Sequence, residues 1–387
     1  MITVVTFADL GDRRNLKTAD IAPIIETFSE KGEPFQVFCR IAVGDTPKFV
    51  KGMLPLWVHY VISLLGRVTF GVFPTRKLEE MLCDLRSSYL LKNESIVVIH
   101  SLSFFRTIDS AKQKGIQVIG IATTAHSLFV EKQDDEELDV LNTSRIRRSV
   151  RFATRYLKIL SKLDLLVCLS QYAADTFVRS GFPQDRIRVA ELDVDTERFS
   201  PDETNRTDEF FSVLFPAASI GILKGIQYLL DVWSSVDVPN KRMVILGKFM
   251  GWPREVLARY QRQMDADPTI TIAGFSSIPE KYFKEADIVV FPTFTEGFSR
   301  SIAEAMASGV PVITTPAGQG LLEDGQTGFI VPERDSRAIK EKIEYLYSHR
   351  EERIAMGVAA RETMLHKRSF GEAIWDVCKE LQDSNTK

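Results

Sequence analysis

FPTFTEGFSRSIAEAMASGVPVITT, residues 291–315, places a strand, a loop, a helix and a second strand in direct succession. Phe291 and Pro292 close an apolar strand, and a helix with a small apolar face runs from Ser299 until Gly309 ends it. Another apolar strand follows at once. This order predicts a βαβ unit with two parallel strands, in which the loop after the first strand is exposed to a ligand.

The same alternation of short apolar runs and longer helical patterns extends along the chain. In the first half, the predicted strands are Ile2–Phe7, Phe35–Cys39, Ser95–His100, Val118–Ala122 and Leu165–Ser170. In the second half, they are Phe211–Pro216, Met243–Gly247, Thr269–Ala273, Ile288–Pro292, Pro311–Thr315 and Phe329–Val331. Continuously apolar strands are typical of parallel sheets that are buried on both faces. We therefore predict an α/β fold with doubly wound parallel sheets.

A polar, proline-containing stretch at Ser200–Asp208 separates the two series of strands and has no hydrophobic period. It predicts two Rossmann-like domains, residues 1–200 and residues 209–365. We expect the domains to face each other across a cleft, because ligands of open parallel sheets bind at the carboxyl ends of the strands. Residues 366–387 are predicted to form a helical segment that packs back on the N-terminal domain.

Composition and local sequence argue against a nucleic-acid-binding, a disulfide-bonded and a membrane-spanning protein. The net charge of −3 gives no electrostatic case for nucleic-acid binding. The four cysteines are scattered without metal-ligand spacing, and we interpret them as reduced thiols of a cytoplasmic protein. The N-terminus has no basic leader and is interpreted as a strand rather than a signal peptide. The uncharged stretch Gly52–Gly66 is shorter than the roughly 20 residues of a membrane-spanning helix, so none is predicted.

Two glutamates flank the start of the helix in residues 291–315. The N–H groups from about Phe298 to Ser301 suit a phosphate, because a helix N-terminus carries unpaired donors and a positive partial charge. Glu304 lies just over one turn inside, where it can accept hydrogen bonds from sugar hydroxyls. Glu296 lies in the preceding loop. For a glutamate pair taken alone, the alternative is that both are ordinary surface carboxylates.

This segment resembles the E-x7-E motif of the retaining GT-B glycosyltransferases, glycosyltransferase family 4. Glu296 and Glu304 have the spacing of that motif. Further matches are Gly297-Phe298, Glu304–Ala307, Gly309–Ile313 and Gly320–Val331. The resemblance implies a GT-B fold and transfer of a hexosyl group, with retention, from a nucleoside diphosphate sugar, a UDP- or GDP-sugar. It implies no cofactor and no metal.

The resemblance also assigns roles in donor binding. Glu296, with the backbone N–H groups of Gly297 and Phe298, is expected to hold hydroxyls of the donor sugar. The helix start at Ser299 is expected to hold the diphosphate, and Glu304 the ribose hydroxyls. Cleft closure would then exclude water from the donor.

Earlier positions of the C-terminal half complete the expected donor site. Lys224, in a Lys-Gly pair, matches the lysine that holds the donor diphosphate, and Gly274-Phe275 matches the turn beside the nucleotide base. The family's usual arginine lies five residues before that lysine, where this chain has Ser219. This departure removes one diphosphate contact. It keeps open the alternative of a catalytically weak or inactive sugar-nucleotide-binding protein of the same fold.

The N-terminal half matches more loosely. Gly11, in the loop after the first strand, is the candidate for the glycine that approaches the donor phosphates, although an ordinary turn is the alternative. His126 follows a strand end, where many relatives carry a histidine near the donor sugar and the acceptor; a structural histidine is the alternative. The resemblance thus assigns Glu296, His126 and Lys224 to catalysis. Asp193 and Asp195 imitate a metal-binding Asp-x-Asp, which we discount because no second ligand cluster accompanies it.

Two segments bear on the acceptor. At the helical angle, Arg145–Lys162 gathers its basic residues on one face, which suits either anionic lipid at the inner face of a membrane or solvent over a protein core. Leu54–Phe73 is apolar and suits either the core or an acceptor pocket. Together they favour a lipid-linked acceptor, with peripheral membrane contact as one hypothesis. A glycan acceptor is the other class that we expect.

Overall fold

The computed structural model describes residues 1–6, 21–42, 48–68, 75–100, 102–143, 156–201 and 209–384 of the chain. The chain divides into two compact units. Unit 1 comprises Met1–Thr123, Arg148–Asp193 and Arg368–Lys387, and unit 2 comprises Thr124–Arg147 and Val194–Lys367. Residues 124–147 thus group with unit 2, whereas the predicted first domain runs unbroken to residue 200.

The strands are short, as expected for parallel sheets. In chain order, those in the described part of the chain are β1 (Ile2–Val5), β2 (Phe35–Cys39), β3 (Val50–Gly52), β4 (Ile96–Ile99), β5 (Gln117–Ala122), β6 (Leu165–Cys168), β7 (Ile187–Val189), β8 (Phe211–Ile220), β9 (Lys241–Phe249), β10 (Ile270–Gly274), β11 (Ile288–Phe291), β12 (Val312–Thr314) and β13 (Gly328–Ile330).

Helices connect most of these strands. In chain order, those labelled here are α1 (Ala22–Glu30), α2 (Leu56–Val68), α3 (Thr75–Leu90), α4 (Phe105–Gln113), α5 (Ser127–Val140), α6 (Gln171–Arg179), α7 (Ile226–Trp233), α8 (Arg254–Ala266), α9 (Glu280–Lys284), α10 (Arg300–Ala307), α11 (Ser336–Ser348), α12 (Arg350–His366) and α13 (Phe370–Ser384). No helix in the described ranges combines the length and the apolar character needed to cross a bilayer.

Each unit contains one parallel sheet. The strand order in unit 1 is β3-β2-β1-β4-β5-β6-β7, and every neighbouring pair is parallel. The order in unit 2 is β10-β9-β8-β11-β12-β13, again with parallel pairs. In both sheets the order runs outward in two directions from the first strand, as in doubly wound folds. The predicted fold class is confirmed.

All the strands predicted from the sequence are present, with ends that differ by a few residues. Two further strands, β3 and β7, were not predicted. Both have three residues and lie at the edges of the unit 1 sheet, where only part of each strand is buried. Edge strands of this kind lack the continuous apolar run by which the central strands were recognised.

Buried aromatic and aliphatic side chains fill the space between sheet and helices in each unit. In unit 2, Trp233, Phe215 and Phe294 are fully buried. Gly247 has a φ of 136°, and a Cβ there would lie 1.6 Å from the carbonyl oxygen of Ala217, so β8 and β9 can approach only because this residue is glycine. The four cysteines all lie in described ranges, are buried and form no disulfide.

The C-terminal helix α13 packs against α1 within unit 1. The rings of Phe28 and Trp375 meet edge to face, with centroids 5.2 Å apart. Gly371 lies so close to α1 that a Cβ would be 2.0 Å from the carbonyl oxygen of Pro23. At the start of α13, the amide of Phe370 donates to the carboxylate of Asp193. These contacts explain why the end of the chain groups with its beginning.

Candidate functional site

The strand order of unit 2 reverses at β8, because β9 and β10 continue to one side of it and β11 to β13 to the other. In an open parallel sheet, the loops that leave two strands at such a point diverge and form a crevice at the carboxyl ends. The loop after β8 carries Lys224, and the loop after β11 carries Glu296. The reversal therefore brings together two residues that are 72 positions apart.

Lys224 and Glu296 form an ion pair at this crevice. Nζ of Lys224 donates to Oε1 of Glu296 at 2.5 Å, and the hydroxyl of Thr293 donates to the same oxygen at 3.0 Å. The Lys224 side chain is 28% exposed and the Glu296 side chain 11% exposed. Because both groups retain some access to solvent, one ligand can contact the cation and the carboxylate together.

The two loops also contact each other through their backbones. The amide of Phe294 donates to the carbonyl of Leu223 at 2.9 Å. Gly225 has a φ of 73°, and a Cβ there would lie 1.9 Å from the carbonyl oxygen of Pro292. Only glycine fits this position. The Lys-Gly pair recognised in the sequence therefore has a structural reason, since the glycine allows the loops to touch and the lysine reaches across them.

The N-terminus of α10 opens at the same edge of the sheet. Ser299 is its N-cap residue, and the serine side chain makes no capping hydrogen bond. The first amides of an α-helix have no intrahelical acceptor and carry the positive end of the helix dipole. Gly297 is buried and Phe298 half-buried in the loop between Glu296 and the helix. This end of α10 can offer N–H groups to an anion beside the ion pair.

Glu304 lies on α10 and is mostly buried. Burial raises the pKa of this carboxyl to about 7, against the opposing charges of Arg300 and Arg198, while the charge of Glu280 adds to the rise. A carboxyl that changes its protonation state near neutral pH can act as acceptor or donor toward hydroxyl groups. The side chain is therefore chemically suited to hydroxyl binding, which is the role predicted for it.

A lysine that was not recognised in the sequence lies beside the predicted base and diphosphate positions. Ser219, near the carboxyl end of β8, is the register partner of Lys248 on β9, and both are exposed. Nζ of Lys248 lies 5.9 Å from the centroid of the Phe275 ring, which is 61% exposed. Gly274 has a φ of 71° and forms an open turn before that ring. The register thus places a cation next to the serine that replaces the family's arginine.

His126 belongs to unit 2 and is the N-cap residue of α5. The side chain is 1% exposed, and burial lowers its pKa to about 4, so the imidazole is neutral at pH 7. Helix α5 packs against the turn Ile222–Lys224. His126 is thereby connected through its own helix to the turn that carries Lys224.

A buried carboxylate attaches α5 to the rest of unit 2. Glu137 is fully buried and accepts hydrogen bonds from Gln227 at 2.7 Å, Tyr228 at 3.2 Å and Arg334 at 3.1 Å. Burial raises the pKa of Glu137, although the hydrogen bond from Gln227 and the charge of Arg334 oppose the rise. Arg334 also lies 4.6 Å over the ring of Phe294, in the loop that leads to Glu296. This network could not be predicted from the sequence, because its members are far apart in the chain.

Comparison with known proteins adds the family of this part of the chain. Residues 212–349 match the family model described as Glycosyl transferases group 1. The chain carries a group 1 glycosyltransferase domain. Lys224, Lys248, Glu296 and Glu304 all lie inside the matched segment. The group 1 domain therefore contains the crevice, the helix N-terminus and the lysine beside Ser219.

Relatives of the group 1 domain include transferases of polysaccharide synthesis. The chain is 33% identical over 201 residues to the capsular polysaccharide biosynthesis glycosyltransferase CapM of Staphylococcus aureus. This match covers 49% of this chain and 52% of CapM. The matched parts are 50% to 58% of the length of the first three curated relatives, which is less than two thirds of each.

Solved structures resemble the whole chain. The Anabaena protein HepE in complex with UDP-glucose has a TM-score of 0.67 at 13% identity, and sucrose-phosphate synthase from Thermosynechococcus elongatus has 0.68 at 16% identity. In both cases the match covers 99% of each chain. At these identities the likeness establishes the fold, which is GT-B as predicted.

Several predicted features lie outside the group 1 domain. Gly11 is outside the described residues, as are most of the basic segment Arg145–Lys162 and most of the linker Ser200–Asp208. The Asp-x-Asp pair has structural partners. Asp193 accepts the hydrogen bond at the start of α13, and Asp195 accepts amide hydrogen bonds from the turn that follows it.

Proposed function

We propose that this protein is a retaining hexosyltransferase that uses a nucleoside diphosphate sugar as donor and a glycan or lipid-linked molecule as acceptor. The observation that carries the proposal is the Lys224–Glu296 pair at the reversal of strand order, directly beside the N-terminus of α10. A cation, the positive end of a helix dipole and a carboxylate together match the charges of a diphosphate joined to a hydroxyl-rich sugar.

In the proposed complex, donor binding replaces the ion pair between Lys224 and Glu296 with contacts from each residue to the donor. The diphosphate takes the place of Glu296 on Lys224 and receives the first amides of α10, so that the charge of the leaving group is stabilised electrostatically. Glu296 is then released to accept hydrogen bonds from sugar hydroxyls, together with the amides of Gly297 and Phe298. The pair seen in the structure keeps both charges compensated until the donor arrives.

The nucleoside occupies the adjacent strand ends. Glu304 accepts hydrogen bonds from the ribose hydroxyls, and the exposed ring of Phe275 offers a surface to the base. Lys248, which is paired in register with Ser219, supplies the second cation for the diphosphate where the family has an arginine. Lysine acts there as a mobile point charge rather than a planar two-pronged donor.

In the transfer step, the bond between the anomeric carbon and the diphosphate oxygen breaks as the acceptor hydroxyl attacks from the leaving-group side. The acceptor oxygen forms the new bond to the anomeric carbon, and its proton passes to the departing phosphate. Retention follows because attack and departure share one face of the sugar. His126 is proposed to lie near the sugar in its neutral form, and no metal or other cofactor takes part in the proposed step.

A second candidate is a protein that binds sugar nucleotides without turnover. Ser219 favours this alternative, because one expected diphosphate contact is missing. Lys248 argues against it, since a cation is present on the neighbouring strand. The relatives in polysaccharide synthesis support the transferase. We propose that it acts in the cytoplasm, at the inner face of a membrane.

The test is to incubate the purified protein with UDP- and GDP-sugars and with glycan or lipid extracts as acceptors, and to follow the products by NMR. Transfer with retention gives a new anomeric proton signal with the same anomeric configuration as the donor. The opposite configuration contradicts the retaining mechanism. Saturation-transfer signals from a donor that is never consumed, with any acceptor, select the binding protein.

A further inference from the structure

Unit 1 contains a polar pocket that none of the roles above uses. Its volume is about 400 Å³, which is within the range of small-molecule binding sites. The residues that line it are Arg40, His59, Ser63, Thr75, Arg76 and Glu79. Arg40 directly follows β2, so the pocket lies at the carboxyl edge of the unit 1 sheet, which is the edge where such folds bind ligands.

Glu79 holds the basic side chains of this pocket in place. Its carboxylate is buried, and its two oxygens receive different partners: Arg40 donates to Oε2 at 2.8 Å, and Nδ1 of His59 lies 2.7 Å from Oε1. The side chains of Arg40 and His59 are 21% and 28% exposed. A buried carboxylate that orients two partly exposed basic groups leaves them positioned toward the pocket.

The electrostatics of the pocket favour an anion. Arg40 and Arg76 contribute two positive charges, and Glu79 compensates for one. Arg76 also meets Glu80 at 3.4 Å, but the Arg76 side chain is 82% exposed, and such surface pairs hold their partners weakly. Helix α3 begins at Thr75, so the positive end of its dipole points at the pocket as well.

One wall of the pocket is a helix with an apolar outer face. His59 and Ser63 of α2 line the pocket, while Tyr60, Val61 and Leu64 on the same helix are 64%, 49% and 59% exposed. An anionic group in the pocket can therefore have an apolar chain beside it. This arrangement suits a phosphoryl group whether it is borne by a soluble glycan or by a lipid.

We propose that this pocket binds the phosphoryl group of a phosphorylated acceptor. Arg40 and Arg76 contact the phosphoryl oxygens, His59 donates to them from the nitrogen that does not face Glu79, and Thr75 contributes its hydroxyl. The anion site stands on the geometry of unit 1 alone. Only its assignment to the acceptor rests on the proposed transferase function.

The test is isothermal titration calorimetry with inorganic pyrophosphate on the protein with its unit 2 crevice unaltered and saturating UDP present, so that the nucleotide occupies that crevice. In this background, Arg76→Gln is expected to weaken pyrophosphate binding about tenfold, the loss of one charge-assisted contact. The matched control is Arg86→Gln, an exposed arginine further along α3, which is expected to leave binding unchanged. Arg40→Gln should weaken pyrophosphate binding to a similar extent. Because the Arg76 side chain is exposed, Arg76→Gln is expected to fold normally, so its loss of binding cannot be attributed to misfolding.

Vesicles distinguish the source of the phosphoryl group. Binding to phosphatidylcholine vesicles that depends on added phosphatidic acid and on Arg76 assigns a lipid-linked phosphate; binding of soluble pyrophosphate alone assigns a soluble phosphorylated acceptor. Equal binding by the Arg76→Gln and Arg86→Gln proteins overturns the proposal, as does the absence of any pyrophosphate binding. Arg76-dependent binding in a protein that binds no UDP would refute the transferase and leave the anion site standing.

Discussion

At the scale of single residues, the cation beside Ser219 decides between the two candidate functions. If Lys248 serves the donor diphosphate, Lys248→Ala should weaken UDP binding about tenfold, because one charge-assisted contact is lost. Lys340→Ala, which removes a half-buried lysine from α11, should leave the affinity unchanged. Titration calorimetry measures both. Equal UDP affinities of the Lys248→Ala protein and the wild type would show that Lys248 does not take the place of the family's arginine.

Glu304 gives the donor site a pH dependence. Its pKa of about 7 means that the carboxyl gains charge as the pH rises through neutrality. A charged carboxylate accepts two hydroxyl hydrogen bonds, so UDP affinity should increase from about pH 6 to about pH 8. In Glu304→Gln, which does not titrate, this increase should be absent. If the Glu304→Gln protein shows the same dependence of UDP affinity on pH as the wild type, Glu304 does not bind the ribose.

The residues that could be predicted are those whose local sequence fixes their place. Glu296 and Glu304 were recognised from a spacing across one loop and one helix, and Lys224 from the glycine that follows it. Lys248 and Glu137 could not be recognised. Their roles depend on strand register and on contacts between distant segments, which a single sequence does not contain.

At the scale of elements, α5 depends on one buried carboxylate. Glu137→Gln removes the charge that pairs with Arg334 and turns one acceptor oxygen into a donor group. Breaking a buried pair costs about 3–5 kcal/mol, so urea unfolding of this variant should begin at a clearly lower concentration. Glu136→Gln is the matched control, since that side chain is 44% exposed and lies 3.7 Å from the same arginine. Similar unfolding curves for the two variants would mean that α5 is held by other contacts.

The sequence predicted the strands better than the unit to which helix α5 belongs. The central strands of both sheets are continuously apolar, and each was found near its predicted place. Residues 124–147 were assigned to the first domain because they precede the polar stretch Ser200–Asp208. Their attachment to unit 2 depends on hydrogen bonds from Gln227, Tyr228 and Arg334, whose partner in α5 lies at least 90 residues away.

At the scale of the whole molecule, two buried histidines make folding sensitive to acid. Burial lowers the pKa of both His100 and His126 from 6.5 to about 4. Between these values the unfolded chain binds protons that the folded chain does not, so the free energy of unfolding falls as the pH falls from 6.5 toward 4. Carboxyls whose pKa is raised by burial, Glu304 and Glu137 among them, act in the opposite sense, so a histidine variant is needed to isolate the contribution of the histidine.

Urea midpoints measured across this pH range test the effect. Toward the lower pH, His126→Asn should lose less stability than the wild type, because an asparagine takes up no proton. If the two proteins lose stability in parallel, His126 is not buried in its neutral form.

The central claim is that the crevice of unit 2 activates a nucleoside diphosphate sugar. The most direct measurement is donor-dependent release of nucleoside diphosphate, followed by NMR with UDP- and GDP-sugars. The wild type should release nucleoside diphosphate from one donor. Lys224→Ala and Glu296→Gln should each reduce the rate by a factor of about 10²–10³, the cost of losing a preorganised charge. The controls Lys340→Ala and Glu341→Gln on α11 should retain full activity. Release that persists in both crevice variants, or a wild type that binds no nucleotide, would contradict the account.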